Sequence, residues 1–69
     1  LGLDVIGLDP ISDVNLTRHR RLFSSCDIIN IENLCNLDKC GDGLFNFTCL
    51  PLKLRDCDGS PARAVAWVE

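Results

Sequence analysis

The sequence predicts a small mixed α/β or α+β fold with about four strands and one helix. Three observations predict it: one stretch with helical periodicity, several short stretches in which apolar and polar residues alternate, and turn residues between them. A chain of 69 residues buries only about 60% of the surface that its unfolded form exposes. We therefore expect residues 1–69 to form a single segment of a larger domain, without repeats or linkers.

The first two predicted elements are a strand and a helix. The strand covers Leu3 to Leu8 and ends at Asp9 and Pro10, because proline cannot continue a central ladder. Ser12 or Asp13 then offers an N-cap for a helix from Val14 to about Ser25. The helical periodicity gives one face these residues: Asn15, His19, Leu22, Phe23 and Cys26.

A second strand is predicted directly after the helix. Residues 27–32 alternate, so Ile29 and Ile31 share one side while Asn30 and Glu32 share the other. A loop rich in turn residues follows over 33–43.

The last third of the chain predicts two more strands. Residues 44–54 are strand-like, but the apolar positions change parity near Pro51, which indicates a bend or bulge. Residues 62–68 place alanines on one face and Val65 and Trp67 on the other. The residues expected in the core are Leu50, Leu52, Leu54 and Trp67.

Composition narrows the class of protein. A net charge of −3 argues against a nucleic-acid surface, and no apolar run of about 18 residues could span a membrane. The five cysteines are odd in number and contain no Cys-x-x-Cys pair, so neither a zinc knuckle nor a dithiol redox site is indicated. We expect mostly reduced thiols and a cytoplasmic location, or an extracellular one if the cysteines form disulfides.

Two residues carry the candidate chemistry, His19 and Glu32. Imidazole and carboxylate are natural ligands for zinc or manganese, and one from a helix face can converge with one from the next strand. The alternative for His19 is a hydrogen-bonded core histidine, and the alternative for Glu32 is an acid on an edge strand.

Several short motifs resemble the cyclase family of metal-dependent amide hydrolases, which includes bacterial kynurenine formamidases. They are Ile-Glu-Asn-Leu at 31–34, Leu-Pro-Leu-Lys-Leu at 50–54 and Asp-Gly-Ser-Pro-Ala-Arg-Ala at 58–64. The resemblance implies a swivelling β/β/α fold, with His19 and Glu32 as metal ligands and Glu32 also as the catalytic acid/base group. The family usually has about twelve residues from this histidine to this glutamate, whereas here the step is thirteen.

The family's main metal motif, of the His-x-x-x-Thr-His-x-Asp-x-Pro type, does not occur in this chain. The resemblance therefore implies a C-terminal segment that is inactive alone and needs the N-terminal half or a homo-oligomer. It also implies a small-molecule amide substrate, N-formyl or cyclic, and a zinc or manganese cofactor in the complete enzyme.

Two alternatives stay open. The cysteines could form the framework of a small disulfide-stapled extracellular binding module. The chain could also be a truncated pseudoenzyme that pairs with a full-length homologue.

Overall fold

A computed structural model describes residues 1–68 of the chain, which divide into two units, Leu1–Cys35 and the part from Asn36 onwards. The first unit contains helix α1 (Thr17–Ser25). The second contains a short 3-10 turn (Leu37–Cys40) and strands β1 (Asn46–Pro51) and β2 (Ala62–Trp67). The predicted mixed α/β class is confirmed. The prediction of four strands is wrong within residues 1–68, which contain two.

Helix α1 begins at Thr17 rather than at the predicted Val14. The Asp13 carboxylate accepts the backbone N–H groups of Asn15 and Thr17, and this turn occupies the residues where the helix was expected to start. Leu16 then adopts a left-handed conformation with φ 52°, which separates the turn from the helix. The helix ends at Ser25, as predicted, because Cys26 is extended.

The predicted strands at 3–8 and 27–32 run beside each other without forming a regular ladder. Gly2 and Ile31 form an isolated parallel bridge. The Leu3 N–H donates to the Ile31 carbonyl at 2.9 Å, and the Asn33 N–H donates to the Val5 carbonyl at 3.0 Å. Parallel pairing is less stable per residue than antiparallel pairing, and no further strand flanks the pair in the first unit. The segments are therefore paired but are not strands.

Strands β1 and β2 form an antiparallel hairpin in the second unit. Cys49 lies opposite Ala64, and the pairing runs from Asn46 and Trp67 at one end to Pro51 and Ala62 at the other. The strand predicted over 44–54 is thus shorter and ends at Pro51, where the parity change indicated a bend, because proline has no N–H for the ladder.

The predicted apolar core is not found. Among residues 1–68 no hydrophobic side chain is buried, and the four residues expected in the core, Leu50, Leu52, Leu54 and Trp67, are between 47% and 60% exposed. A two-stranded sheet without a second layer against it cannot bury these side chains. Their truncation in this chain should therefore cost much less than the 2–5 kcal/mol, roughly, of a buried leucine.

Two further observations bear on the class of protein. No helix in residues 1–68 is long and apolar enough to cross a membrane. Cys26, Cys40, Cys49 and Cys57 carry free thiols in this structure.

Candidate functional site

The imidazole of His19 lies between two carboxylates in the first unit. Its Nδ1 is 2.6 Å from Asp9 Oδ2, and its Nε2 is 3.0 Å from Glu32 Oε1. The three residues come from the segment before α1, from α1 itself and from the bridged segment after it. Both ring nitrogens are therefore engaged, each by a different carboxylate.

Asp9 is placed by the turn that precedes the helix. Pro10 follows it, and the Asp13 N–H donates to the Pro10 carbonyl at 2.9 Å, which reverses the chain toward α1. The Asp9 side chain, only 1% exposed, accepts the backbone N–H groups of Arg18 at 2.7 Å and His19 at 2.9 Å. These N–H groups lie in the first turn of the helix, which has no intrahelical acceptors for them. Asp9 thus caps α1 and holds His19 at the same time.

The pKa of the Asp9 carboxyl reflects both its burial and its hydrogen bonds to the helix. Burial alone would raise it, but the hydrogen bonds from the backbone N–H groups of His19 and Arg18 and from the His19 ring outweigh burial, and the pKa is lowered from its ordinary value of 3.8. Asp9 is therefore a carboxylate at neutral pH.

The pKa of His19 moves in the opposite direction. The hydrogen bond to Glu32 is the largest cause and the hydrogen bond to Asp9 the second, and both raise the pKa above 6.5 against the opposing effect of desolvation. The two flanking carboxylates thus favour the protonated, positively charged form of the His19 ring.

Glu32 is the more exposed of the two carboxylates that contact His19. Its side chain is 34% exposed, and Asn30 Nδ2 donates to its Oε1 at 2.9 Å. Asn30 and Glu32 lie two residues apart on one side of an extended segment, as the alternating pattern predicted. Asn30 Oδ1 is buried and has no hydrogen-bond partner among the described residues. Asn30 therefore orients Glu32 through its amide nitrogen.

Gly7 leaves space beside the two groups that face each other. A Cβ at this position would lie 3.3 Å from His19 Cε1, 3.4 Å from Glu32 Oε1 and 3.6 Å from His19 Nε2. Any larger residue would crowd the edge of the imidazole that points toward Glu32. The absence of a side chain at Gly7 keeps this edge accessible.

The donor set fits part of a metal site. Ligands that share one tetrahedral zinc at about 2.0–2.1 Å lie roughly 3.3 Å apart, and the observed Nε2 to Oε1 distance is 3.0 Å. Asp9 lies on the opposite side of the ring and cannot join them. Consistent with this, no group of three or more His, Cys, Asp or Glu residues in the described part of the chain could hold a metal ion. In the described part of the chain, the candidate ligands are therefore two, His19 and Glu32.

The structure brings His19 and Glu32 together, as the sequence predicted, although they lie thirteen positions apart in the chain. Their role as metal ligands, and that of Glu32 in catalysis, remains a prediction. Sequence reasoning missed Asp9, whose only signal was a carboxylate before a proline and a helix start, and it missed the contact of Asn30 with Glu32.

The chain is similar to kynurenine formamidases over nearly its whole length. It is 45% identical over 65 residues to the kynurenine formamidase of Bacillus anthracis, and the match covers 94% of this chain and 30% of that protein. The kynurenine formamidase of Bacillus mycoides matches equally, and that of Bacillus cytotoxicus is 42% identical over 65 residues. The resemblance drawn from the motifs is thus confirmed.

The chain spans 30% of the length of these curated relatives. No protein-family model matches it, and no solved structure matches it significantly.

Proposed function

We propose that this chain, a homologue of part of the kynurenine formamidases, is a segment of a metal-dependent amide hydrolase and supplies His19 and Glu32 to its active site. The observation that carries the proposal is the 3.0 Å distance between His19 Nε2 and Glu32 Oε1. An imidazole nitrogen and a carboxylate oxygen at this separation suit adjacent ligands of one zinc or manganese ion.

His19 has the role of a neutral nitrogen ligand. Asp9 engages its Nδ1, so the nitrogen that is directed toward Glu32 and toward the open side of Gly7 is Nε2. The ring is held by a residue that caps the same helix, and its position therefore depends on backbone geometry rather than on a mobile side chain.

Glu32 has the role of a ligand and a proton acceptor. When bound, a divalent metal lowers the pKa of a coordinated water and polarises the carbonyl of the amide. Glu32 is exposed enough to meet a substrate, and Asn30 holds one of its oxygens, so the carboxylate can accept a proton from the attacking water and pass it to the leaving nitrogen.

A complete metal site needs more ligands than the described residues provide. A catalytic zinc normally has three protein ligands, and the described residues offer two, His19 and Glu32. This agrees with the chain spanning 30% of the length of its relatives. The substrate class, an N-formyl aromatic amide, is taken from the name of those relatives.

A segment exchange tests the proposal. The matching segment of the Bacillus anthracis kynurenine formamidase would be replaced by this chain; the product is called the exchanged enzyme below. We expect the exchanged enzyme to bind zinc or manganese and to hydrolyse an N-formyl aromatic amide. A folded product, judged by circular dichroism and by size, that bound no metal and had no activity would contradict the proposal.

A further inference from the structure

Asp9 contacts His19 twice, through the backbone N–H and through the ring, and both contacts go to the same oxygen, Oδ2. We propose that Asp9 is a positioning residue that keeps the neutral His19 ring in the Nδ1–H tautomer, so that Nε2 is the nitrogen available to a metal. This inference rests on the proposed function for its consequence, but the tautomer itself can be measured without metal.

The two carboxylates are not equivalent partners for the ring. The Asp9 contact is shorter, at 2.6 Å against 3.0 Å, and the Asp9 side chain is 1% exposed against 34% for Glu32. A buried carboxylate cannot replace a lost donor with water, whereas an exposed one can. In the neutral ring, the single N–H proton therefore belongs on the nitrogen that faces Asp9.

The same contacts fix the orientation of the ring. Asp9 Oδ1 accepts the Arg18 N–H while Oδ2 accepts from His19, so the carboxylate cannot rotate without breaking bonds to the helix. A half-turn of the imidazole would place Cδ2 toward Asp9 and Cε1 toward Glu32, and both ring hydrogen bonds would be lost. The ring of Phe23, one helical turn later, lies with its centroid 6.3 Å from that of His19 and limits the space on that side.

Carboxylates that accept from the second nitrogen of a metal-binding histidine are a general device. They select the tautomer, orient the ring and raise its basicity, and their loss typically costs about 10–100-fold in metal affinity. Asp9 has the geometry of such a partner and, as a group that acts through His19, would not itself touch the metal or the substrate.

Asparagine at position 9 is the informative substitution. If its amide oxygen accepts from the Arg18 N–H, its NH₂ group takes the place of Oδ2, so the His19 backbone N–H loses its acceptor and His19 Nδ1 must give up its proton and leave Nε2 protonated. If the amide is turned the other way, the NH₂ group meets the Arg18 N–H and loses the cap. Asp9→Asn therefore weakens the start of α1 in either orientation, and the first orientation also favours the Nε2–H tautomer.

Asp13→Asn is the matched control. Asp13 also accepts two backbone N–H groups just before α1, from Asn15 and Thr17, but it does not contact His19. A general loss of capping would affect both variants, whereas a change of tautomer should be confined to Asp9→Asn.

The measurement is nitrogen NMR on the 69-residue chain with ¹⁵N-labelled histidine, above the pH at which the ring becomes neutral. His19 is the single histidine, so both ring signals are assigned without ambiguity. We expect Nδ1 to carry the proton in the unmodified chain and in Asp13→Asn, and Nε2 to carry it in Asp9→Asn. Free histidine side chains favour the Nε2–H form, so a wild-type ring in that form would overturn the inference.

If the Asp9→Asn variant did not fold, the spectrum of the unmodified chain would still test the inference. A proton on Nδ1 would support it, and a proton on Nε2 would overturn it. An Asp9→Asn variant that kept both the proton on Nδ1 and the helix content of the unmodified chain would also overturn the inference. In the exchanged enzyme, Asp9→Asn should weaken zinc binding by about 10–100-fold, and Asp13→Asn should leave it nearly unchanged. If the unmodified exchanged enzyme bound no zinc while the tautomer result held, the proposed function would fail and the positioning by Asp9 would stand.

Discussion

Glu32 Oε1 lies 3.0 Å from His19 Nε2, although the two residues are thirteen positions apart and belong to different segments. The helix supplies the imidazole, and the segment bridged to the N-terminal residues supplies the carboxylate. The contact thus depends on the packing of the whole first unit rather than on a local motif. It also forms without the residues that the relatives carry beyond the matched region.

The isolated chain should lack hydrolase activity. Two protein ligands hold a divalent ion loosely, and the described residues contain no third. We expect no turnover of an N-formyl aromatic amide above background with added zinc or manganese. A metal-dependent rate that followed the chain through purification and disappeared in Glu32→Gln would contradict this expectation.

Glu32→Gln in the exchanged enzyme should reduce turnover more than metal content. Glutamine keeps an oxygen that can accept from Asn30, but it has lost the charge that accepts a proton, so the rate should fall by about 10²–10⁴-fold. Metal content by mass spectrometry and turnover would be measured together. Asp27→Asn, at an exposed acid of the same segment, is the matched control and should change neither. Equal losses of metal and rate would assign Glu32 a ligand role only.

The apo chain should be most stable between about pH 3.8 and 6.5. The raised pKa of His19 adds stability that is fully present below 6.5 and is lost as the pH rises through the folded-state value. The lowered pKa of Asp9 adds stability that is present above 3.8 and is lost as the pH falls through the folded-state value. Helix content by circular dichroism against pH checks both limbs. His19→Asn should remove the decline of helix content above pH 6.5. If the pH profile of this variant matched that of the unmodified chain, His19 would not be the cause of the decline.

Metal affinity should follow the opposite pH dependence. A metal must displace the proton that the two carboxylates favour on His19, so affinity should rise with pH through the raised pKa of that ring. Zinc titrations of the exchanged enzyme at several pH values measure this, with proton release detected in weakly buffered solution. Affinity that was constant across the titration of His19 would show that the ring is not a ligand.

Gly7→Ala should weaken metal binding without disturbing the helix. The new methyl group would lie 3.3 Å from His19 Cε1 and 3.4 Å from Glu32 Oε1, so one of these groups must move by a few tenths of an ångström. Gly59→Ala is the matched control, because nothing lies within 4 Å of a Cβ at that position. A metal affinity for Gly7→Ala equal to that of Gly59→Ala would mean that the open edge at Gly7 is not used.

The sequence predicted those parts of the fold that local patterns determine. The end of α1 at Ser25 and strand β2 follow from periodicity, and the end of β1 follows from Pro51. The start of α1 was missed because Asp13 offers its capping carboxylate to a turn rather than to the helix. The strands expected at 3–8 and 27–32 depend on neighbours in a sheet, and no local pattern reports whether those neighbours exist.

The candidate site was predicted only in part, because some of its contacts join residues that are distant in the sequence. His19 and Glu32 were found by residue type and by resemblance. Asp9 was missed because ten positions and a chain reversal separate it from His19, and sequence spacing carries no signal for such a contact. Asn30 was placed on the correct side of its segment, but alternation alone does not identify the contact that it makes.

The central claim, that His19 and Glu32 form one side of a metal site, is tested most directly by the metal content of the exchanged enzyme with His19→Ala. Alanine removes a ligand outright, whereas Arg21→Ala changes an exposed residue of the same helix whose side chain makes no hydrogen bond or ion pair with the described residues. The account predicts that His19→Ala loses most of its bound zinc or manganese after dialysis while Arg21→Ala retains it. Full metal content and full activity in His19→Ala would contradict the account and leave His19 the role of a hydrogen-bonded structural histidine.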